Sequence, residues 1–458
     1  MKIRSGKILC LVAVFCVAAA VCASAQTFTT MLTFDQHNGK FPLGPLVQGS
    51  NGSLLGTSEQ GGKDDLGTIF GMTTEGTETF VYGFCASAGC PVVPEAPIVQ
   101  DSNGNFYGTT ESGGSNGFGT VFQISSSGQL TTLYNFCSQT NCTDGKRPTS
   151  GLVRGVSGNL YGTTIQGGSH STPPDYRGGT VFEITPSGKL TTLYSFCGIV
   201  KVEVCLDGEE PSGGLVLGSD GNFYGTTELG GANFGTGSIF KITPTGQLKQ
   251  IYSFCVASIQ CPDGADPRAT LIEGNDGNYY GTTWAGGMHQ NGSVFKVTPT
   301  GQLTTLYSFC SQSNCADGEN PSAALVQGTD GNFYGTAYEG GNQVPECNDF
   351  GCGTLFQVTP AGIFTLLYSF CSQSNCSDGY FPVDSCKPPT EPSTGPPTRA
   401  ARAILSAPAS PQVAALSTVC PWAWARLWRR TRTSALSGAR LTSWGITSPL
   451  RRASPSMA

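Results

Sequence analysis

The stretch GNYYGTTWAGGMHQNGSVFKVTPTGQLTTLYSFC, from Gly277 to Cys310, carries the reading of the whole chain. It holds three segments of strand-like composition, Asn278 to Thr283, Ser293 to Thr298 and Leu303 to Phe309, and a fourth, Ala269 to Glu273, precedes it. β-Branched and aromatic residues fill these segments. Asp-Gly, Gly-Gly and Pro-Thr-Gly turns separate them, as expected of short antiparallel strands joined by hairpins. No segment of helical period intervenes.

Working outward, the same phrase returns as GSLLGTS from Gly52, GNFYGTT from Gly104, GNLYGTT from Gly158, GNFYGTT from Gly221 and GNFYGTA from Gly331. Each copy leads through a Gly-Gly and a line of the GTVFQISSSGQLTTLYNFC type (Gly119 to Cys137) to an Asp-Gly, a Pro and an apolar triplet such as Ala324-Leu325-Val326. Repetition at this length decides the fold before any single motif does. A four-stranded unit of about 50–60 residues predicts an all-β chain folded as a β-propeller, with six complete repeats. A β-solenoid is the alternative, but its coils are usually shorter and carry fewer hairpin turns. The line FTTMLTFDQHNG near the start matches a fourth strand and its following turn. The chain therefore begins one strand out of register, a device that lets a propeller complete its last blade with its first strand.

The pattern GNFYGTT, then GG, then GT-V-F-K-I-T-P-x-G-x-L-T-T-L-Y-S-F-C resembles the GloVer-type (Gloeo/Verruco) tandem repeat proteins of bacteria, a choice-of-anchor class. The resemblance covers about Thr27 to Pro382. It implies an exported, often surface-anchored protein and brings no catalytic residues with it. The Asp-Gly-Asn-Phe-Tyr turn also looks like the Asp-box hairpin of other propellers, but its spacing is one residue short, and it is read as a turn.

Composition agrees with an array of strands and turns. Of 458 residues 63 are Gly, only 12% are charged, and the net charge is −6. An acidic chain of this kind argues against a nucleic-acid partner. Residues 1–25 read as a signal peptide: Lys2 and Arg4, an apolar run from Ile8 to Val21, and the small residues Ala23-Ser24-Ala25, with Gln26 the first mature residue. The apolar run is short for a membrane span of about 20 residues, and no later transmembrane candidate follows. A secreted or cell-surface location is expected. In an oxidising compartment the local cysteine couples become disulfides: Cys85 with Cys90, Cys137 with Cys142, Cys197 with Cys205, Cys255 with Cys261, Cys310 with Cys315, Cys347 with Cys352, and Cys371 with Cys376. Metal binding is the weaker reading, because the couples lie whole repeats apart and lack histidine partners. Each small loop closed should contribute roughly 2 kcal/mol on the chain-entropy model, enough to pin a local excursion while the core supplies the main stability.

After Pro382 the repeat calls for another GLVQGTDGNFYGTT, but DSCKPPTEPSTGPPT (Asp384 to Thr398) follows. One permitted codon spelling of those residues, read two nucleotides later, gives LLQATDGTFYGTTY. Each shifted codon takes two bases fixed by the next residue and one wobble base, so the match is tightly constrained. In the same frame Leu441 to Ala458 can read VNILGNNLTAATSVTFNG, which resembles an IPT/TIG immunoglobulin-like domain of cell-surface proteins. A frameshift near Pro382 or Val383 is expected, with propeller repeats over 26–382, a non-homologous tail over 383–458, and a seventh blade in the intact frame. The tail's composition agrees: it holds nine Arg and four of the five Trp, Trp422, Trp424, Trp428 and Trp444. WAWARLWRRTRT (Trp422 to Thr433) also reads as a basic aromatic tail for membrane or nucleic acid, but a GC-rich shifted frame produces such a run readily.

No constellation points to catalysis. His37, His170 and His289 lack a recurring carboxylate and read as solvated loop residues. There is no G-x-S-x-G elbow before a helix, Ser125-Ser126-Ser127-Gly128 falls at a hairpin turn, and Gly230-Gly231 lacks the Lys-Ser/Thr of a phosphate loop. No cofactor or metal is expected. Function belongs instead where the units differ, since variable loops on a rigid scaffold carry recognition. One variable position follows each GTT-like triplet: Glu59, Glu111, Ile165, Glu228, Trp284 and Tyr338. If the units are blades, these lie at equivalent places. Trp284 and Tyr338 are then neighbours, and with Glu59, Glu111 and Glu228 form a candidate ligand face suited to stacking on sugars. An extracellular binding or scaffold module, with a polysaccharide or a surface protein as partner, is the reading favoured. A propeller enzyme acting on glycans, as lyase or hydrolase, and a purely structural envelope protein are the alternatives.

Overall fold

The computed structural model describes residues 30–382, except 88, 126–127, 172–177, 202–203, 257–259 and 348–349. The expected signal peptide over 1–25, Cys386, Cys420 and the tail expected from 383 lie outside the described residues. Six four-stranded antiparallel sheets follow one another as the blades of a β-propeller. In the fifth the strands are Ile272–Glu273, Tyr279–Thr283, Ser293–Val297 and Leu303–Ser308. The sixth has Val326–Gln327, Phe333–Ala337, Thr354–Val358 and Phe364–Ser369. No α-helix occurs among the described residues, and no helix there is long and apolar enough to cross a membrane.

The recurring triplet has a distinct task at each position. Its glycine lies under the phenylalanine of the third strand: a Cβ at Gly225 would stand 2.6 Å from the Phe240 ring and 3.1 Å from Leu215. Its first threonine reaches the next unit. Thr57, Thr109, Thr163, Thr226 and Thr282 donate to the carbonyls of Ala96, Ser150, Gly213, Ala269 and Ala323 at 2.8–3.3 Å. Its second hydroxyl stays at home and bonds the start of the third strand, as Thr283 does with Ser293 at 2.8 Å. Cohesion within a blade and between blades is thus written in three consecutive residues.

Apolar packing between blades repeats as strictly. A phenylalanine just beyond the fourth strand meets, edge-on, a phenylalanine in the third strand of the next blade: Phe84 with Phe122, Phe136 with Phe182, Phe196 with Phe240, Phe254 with Phe295 and Phe309 with Phe356, at centroid distances of 5.1–5.6 Å. Such contacts add about 0.5–1.5 kcal/mol each beyond the area they bury. Phe34, ahead of the first blade, meets Phe70 in the same way at 4.8 Å.

All seven cysteine couples are joined as the spacing predicts: Cys85 to Cys90, Cys137 to Cys142, Cys197 to Cys205, Cys255 to Cys261, Cys310 to Cys315, Cys347 to Cys352 and Cys371 to Cys376. Two expectations about them need correcting. The couples do not all lie whole repeats apart, because Cys347 has its Sγ within 4.8 Å of those of Cys371 and Cys376, so two couples meet within one unit. Nor do they only pin excursions. The carbonyls of Cys90, Cys142, Cys205, Cys261 and Cys315 accept from the N–H groups of Gly114, Gly168, Gly231, Gly287 and Gly341, at 2.7–2.9 Å. Each of these glycines is the second of a Gly-Gly pair, so the second cysteine ties its loop to the end of the following triplet. That bond joins segments a whole strand apart, and local spacing gives no sign of it.

The Asp-Gly aspartate that follows most couples is buried and structural. Asp317 accepts from the Tyr307 hydroxyl at 2.6 Å and from the backbone N–H groups of Ser311 and Gln312 at 2.9 and 3.1 Å.

Candidate functional site

Ahead of its first strand each unit passes through a residue in the left-handed conformation and a proline. These residues are Phe41, Val93, Arg147, Glu210, Asp266 and Asn320, with φ between 53° and 62°. The backbone N–H that follows each triplet donates to that residue's carbonyl: Glu59 to Phe41, Glu111 to Val93, Ile165 to Arg147, Glu228 to Glu210, Trp284 to Asp266 and Tyr338 to Asn320, at 2.9–3.4 Å. The six variable positions are therefore equivalent in the backbone, each fixed at the end of a second strand.

Their side chains divide into two sectors. Trp284 and Tyr338, on neighbouring blades, have ring centroids 5.8 Å apart and a 44° tilt. The Arg268 guanidinium lies 4.3 Å from the Trp284 centroid and pairs with Glu228 at 3.2 Å. Tyr338 stacks on Phe381 at 5.0 Å. Both candidate rings remain half-buried, whereas Glu228 is buried beneath its arginine and Ile165 is buried outright. Arg268 thus covers part of the Trp284 ring, and the rest of the ring is only half-buried.

The second sector is acidic. Glu59 and Glu111 approach each other across adjacent blades, joined by Glu95, and Glu111 forms an ion pair with Arg147. Burial pushes the Glu95 carboxyl well above the usual range, helped by the charges of Glu111 and Glu59 and by its hydrogen bond to Glu111, while Arg147 works the other way. Burial and the Glu111 charge also raise Glu59. Glu95 is therefore the carboxyl of this sector whose protonated form the surroundings favour. A raised acid contributes stability that is complete below its ordinary value of 4.5 and is lost as pH rises toward its folded value. Glu95→Gln should accordingly match the parent in urea unfolding at pH 4 and exceed it by at least about 1 kcal/mol at pH 8. Equal stability at pH 8 would show that no proton is held there.

Glu95 and Arg268 escape a reading of the triplets because they sit elsewhere in the repeat, directly after the linker prolines Pro94 and Pro267. The same position holds Leu43, Thr149, Ser212 and Ser322 in other units. Charge at a place otherwise apolar or hydroxylic was the available signal. The Thr149 and Ser212 hydroxyls at this position are buried without a hydrogen-bond partner among the described residues. Far from this ring, at the opposite ends of the second strands, a polar cavity of about 270 Å³ lies among Asp101, Tyr107, Gln123 and Arg154. The histidines take no part: His170 bonds the Ser195 carbonyl at 3.2 Å, and His37 and His289 are exposed.

Among solved structures, the chain resembles a putative gluconolactonase at 14% identity, covering 64% of this chain and 85% of that one, with a TM-score of 0.38. A putative 6-phosphogluconolactonase from Bacteroides uniformis gives 14% identity, coverage of 75% and 87%, and a TM-score of 0.42. A protein from Lactobacillus plantarum gives 16%, 75% and 86%, and 0.43. No curated protein matches the chain. The repeating phrase, the blades it builds and the match of residues 19–204 and 199–387 to the model of the Gloeobacter/Verrucomicrobia repeat place the chain in that family.

Proposed function

We propose that the protein is an exported binding module that presents a ring of variable residues, on a disulfide-pinned propeller, to a hydroxyl-rich ligand such as a polysaccharide. The observation that carries this reading is the Trp284 and Tyr338 pair, two half-buried rings held on adjacent blades by identical backbone bonds. Aromatic faces beside charged and hydroxylic groups suit sugars, whose apolar faces stack and whose hydroxyls hydrogen-bond. Export is supported by seven joined cysteine couples, since cytosolic chains rarely keep disulfides, and by the signal-like N-terminus. Binding is favoured over glycoside hydrolysis by the acidic sector. Glycosidase carboxyls stand about 5–9.5 Å apart with the scissile bond between them, whereas Glu95 and Glu111 are hydrogen-bonded to each other.

Trp284 is the one tryptophan before the tail, so a chain ending at Pro382 reports on this ring by its fluorescence. Titration with cell-wall and plant polysaccharides should change the emission, and Tyr338→Ala should weaken binding by about 2- to 12-fold, the loss of one stacking contact of about 0.5–1.5 kcal/mol. If no polysaccharide alters the emission, or if calorimetry shows Tyr338→Ala binding as tightly as the parent, the sugar-face reading is wrong.

A further inference from the structure

The linkers and the blades do not agree in number. Six left-handed linker residues lead into six described blades, and a seventh, Phe381 with φ 52°, repeats the arrangement before Pro382. Its N–H donates to the Cys352 carbonyl at 2.8 Å, just as Asn320 donates to Asn291 at 2.9 Å one unit earlier. Pro382 lies against Gly353 as Pro321 lies against Gly292. The seventh linker is formed and aimed like the others.

The opposite end of the series shows the complement. In every outer strand from the second blade to the fifth, one bulged residue has its carbonyl against the glycine of the next blade's last hairpin: Leu133 by Gly188, Leu193 by Gly246, Ile251 by Gly301 and Leu306 by Gly362. Met31 stands in that relation to Gly76, and three residues on Phe34 takes the place of Phe309. The segment from Thr30 to Phe34 thus occupies the site of an outer strand, although it has no ladder partner among the described residues. Strand composition alone predicts a strand there. A ladder also needs a third strand beside it.

The flank of the sixth blade carries the matching deficits. Thr336 is the first threonine of its triplet, 1% exposed, and its hydroxyl has no partner among the described residues, whereas its five counterparts all donate to a carbonyl two residues past the next linker proline. Tyr334 is half-buried, while its counterparts Tyr161, Tyr224 and Tyr280 are buried under Phe223, Tyr279 and Phe333 of the following blade, at 3.8–4.2 Å. Leu355 is half-buried too, where Val121, Val181, Ile239 and Val294 are fully buried.

We propose that Tyr334, Thr336 and Leu355 on one side and Met31 to Phe34 on the other are the two walls of a docking slot, and that its occupant is a seventh repeat unit of three strands, the one spelled in the alternative frame after Pro382. That unit, beginning LLQATDGTFYGTTY, supplies each missing partner. Its phenylalanine covers Tyr334, as Phe333 covers Tyr280. The carbonyl two residues past Pro382 accepts from Thr336. Its third strand pairs with Met31 to Phe34 and closes the ring with a composite blade, leaving no open edge.

The test compares the full chain as it stands with the chain whose frame is restored by removing two nucleotides after codon 383. Amide exchange at Leu32, Thr33 and Phe34 should slow at least about 100-fold on restoration, as a free strand becomes a paired one. Thr336→Val should lower the melting temperature of the restored chain by about 2 °C and leave that of the present chain unchanged or higher, while Thr336→Ser, which keeps the donor, should behave as the parent in both. Equal exchange in the two chains, or the same response to Thr336→Val in both, overturns the proposal. Protection in the present chain that rises with its concentration would identify a second copy as the occupant and overturn it as well.

Discussion

Gly225→Val should cost about 3 kcal/mol or more in urea unfolding, because the added side chain must displace a ring that is itself wedged between blades. A Cβ at Gly225 lies 2.6 Å from Phe240, and Phe240 is already held edge-on by Phe196 of the preceding blade at 5.2 Å, so it has nowhere to retreat. Strain at this point is felt in two blades at once. Gly221, four residues earlier, is the control. Nothing lies within 4 Å of a Cβ there, and only its φ of +76° resists substitution, so Gly221→Ala should lose no more than about 1–2 kcal/mol. If Gly225→Val unfolds at the parent midpoint, the triplet glycine has another role.

The second large effect is expected at Asp317. Its buried carboxylate gathers the Tyr307 hydroxyl, the Ser311 hydroxyl and two backbone N–H groups, and Asp317→Ala removes the acceptor they share, leaving the Tyr307 and Ser311 hydroxyls, 2.7 Å apart, only each other. At about 1–3 kcal/mol for a buried group left unsatisfied, the loss should reach about 3 kcal/mol or more. Tyr307→Phe removes the hydroxyl's bonds to Asp317 and Ser311 but leaves the carboxylate its other donors, and should cost only about 1–2 kcal/mol. The tyrosine also carries a spectroscopic mark, since burial and the Asp317 carboxylate both hold its hydroxyl well above the ordinary tyrosine range. Alkaline difference spectra should therefore show Tyr307 ionising with the unfolding of the chain. Ordinary titration of every tyrosine in the folded protein would contradict the burial of this network.

The blades could be read from the sequence because one phrase, repeated, fixes strand, turn and register together, and its errors do not accumulate. The first strand is shorter than its composition predicts. In the fifth unit Ala269 to Glu273 shortens to Ile272–Glu273, because the Ala269 carbonyl accepts from Thr226 of the preceding blade and is not free for the ladder. That is a contact between units, invisible to a pattern that describes one unit at a time. The cysteines divide in the same way: the pairing of Cys310 with Cys315 follows from their spacing, but the bond from Gly341 to the Cys315 carbonyl needs the fold. So does the candidate face. Trp284 and Tyr338 were found because they share an offset from the triplet, and offsets become neighbours in a ring. Glu95, Arg147 and Arg268 stand at other offsets in the repeat, and only the folding of linker onto strand brings them to Glu111 and Trp284.

The row of edge-on phenylalanines that runs from Phe34 to Phe356 couples each blade to its neighbours and to nothing more distant. A chain of nearest-neighbour couplings loses order from its ends, where a unit has one neighbour to melt away from rather than two. Denaturation of this molecule should accordingly travel inward as fraying, with the third and fourth blades the last to yield, so that probes placed in different blades report different midpoints and no single transition describes the whole.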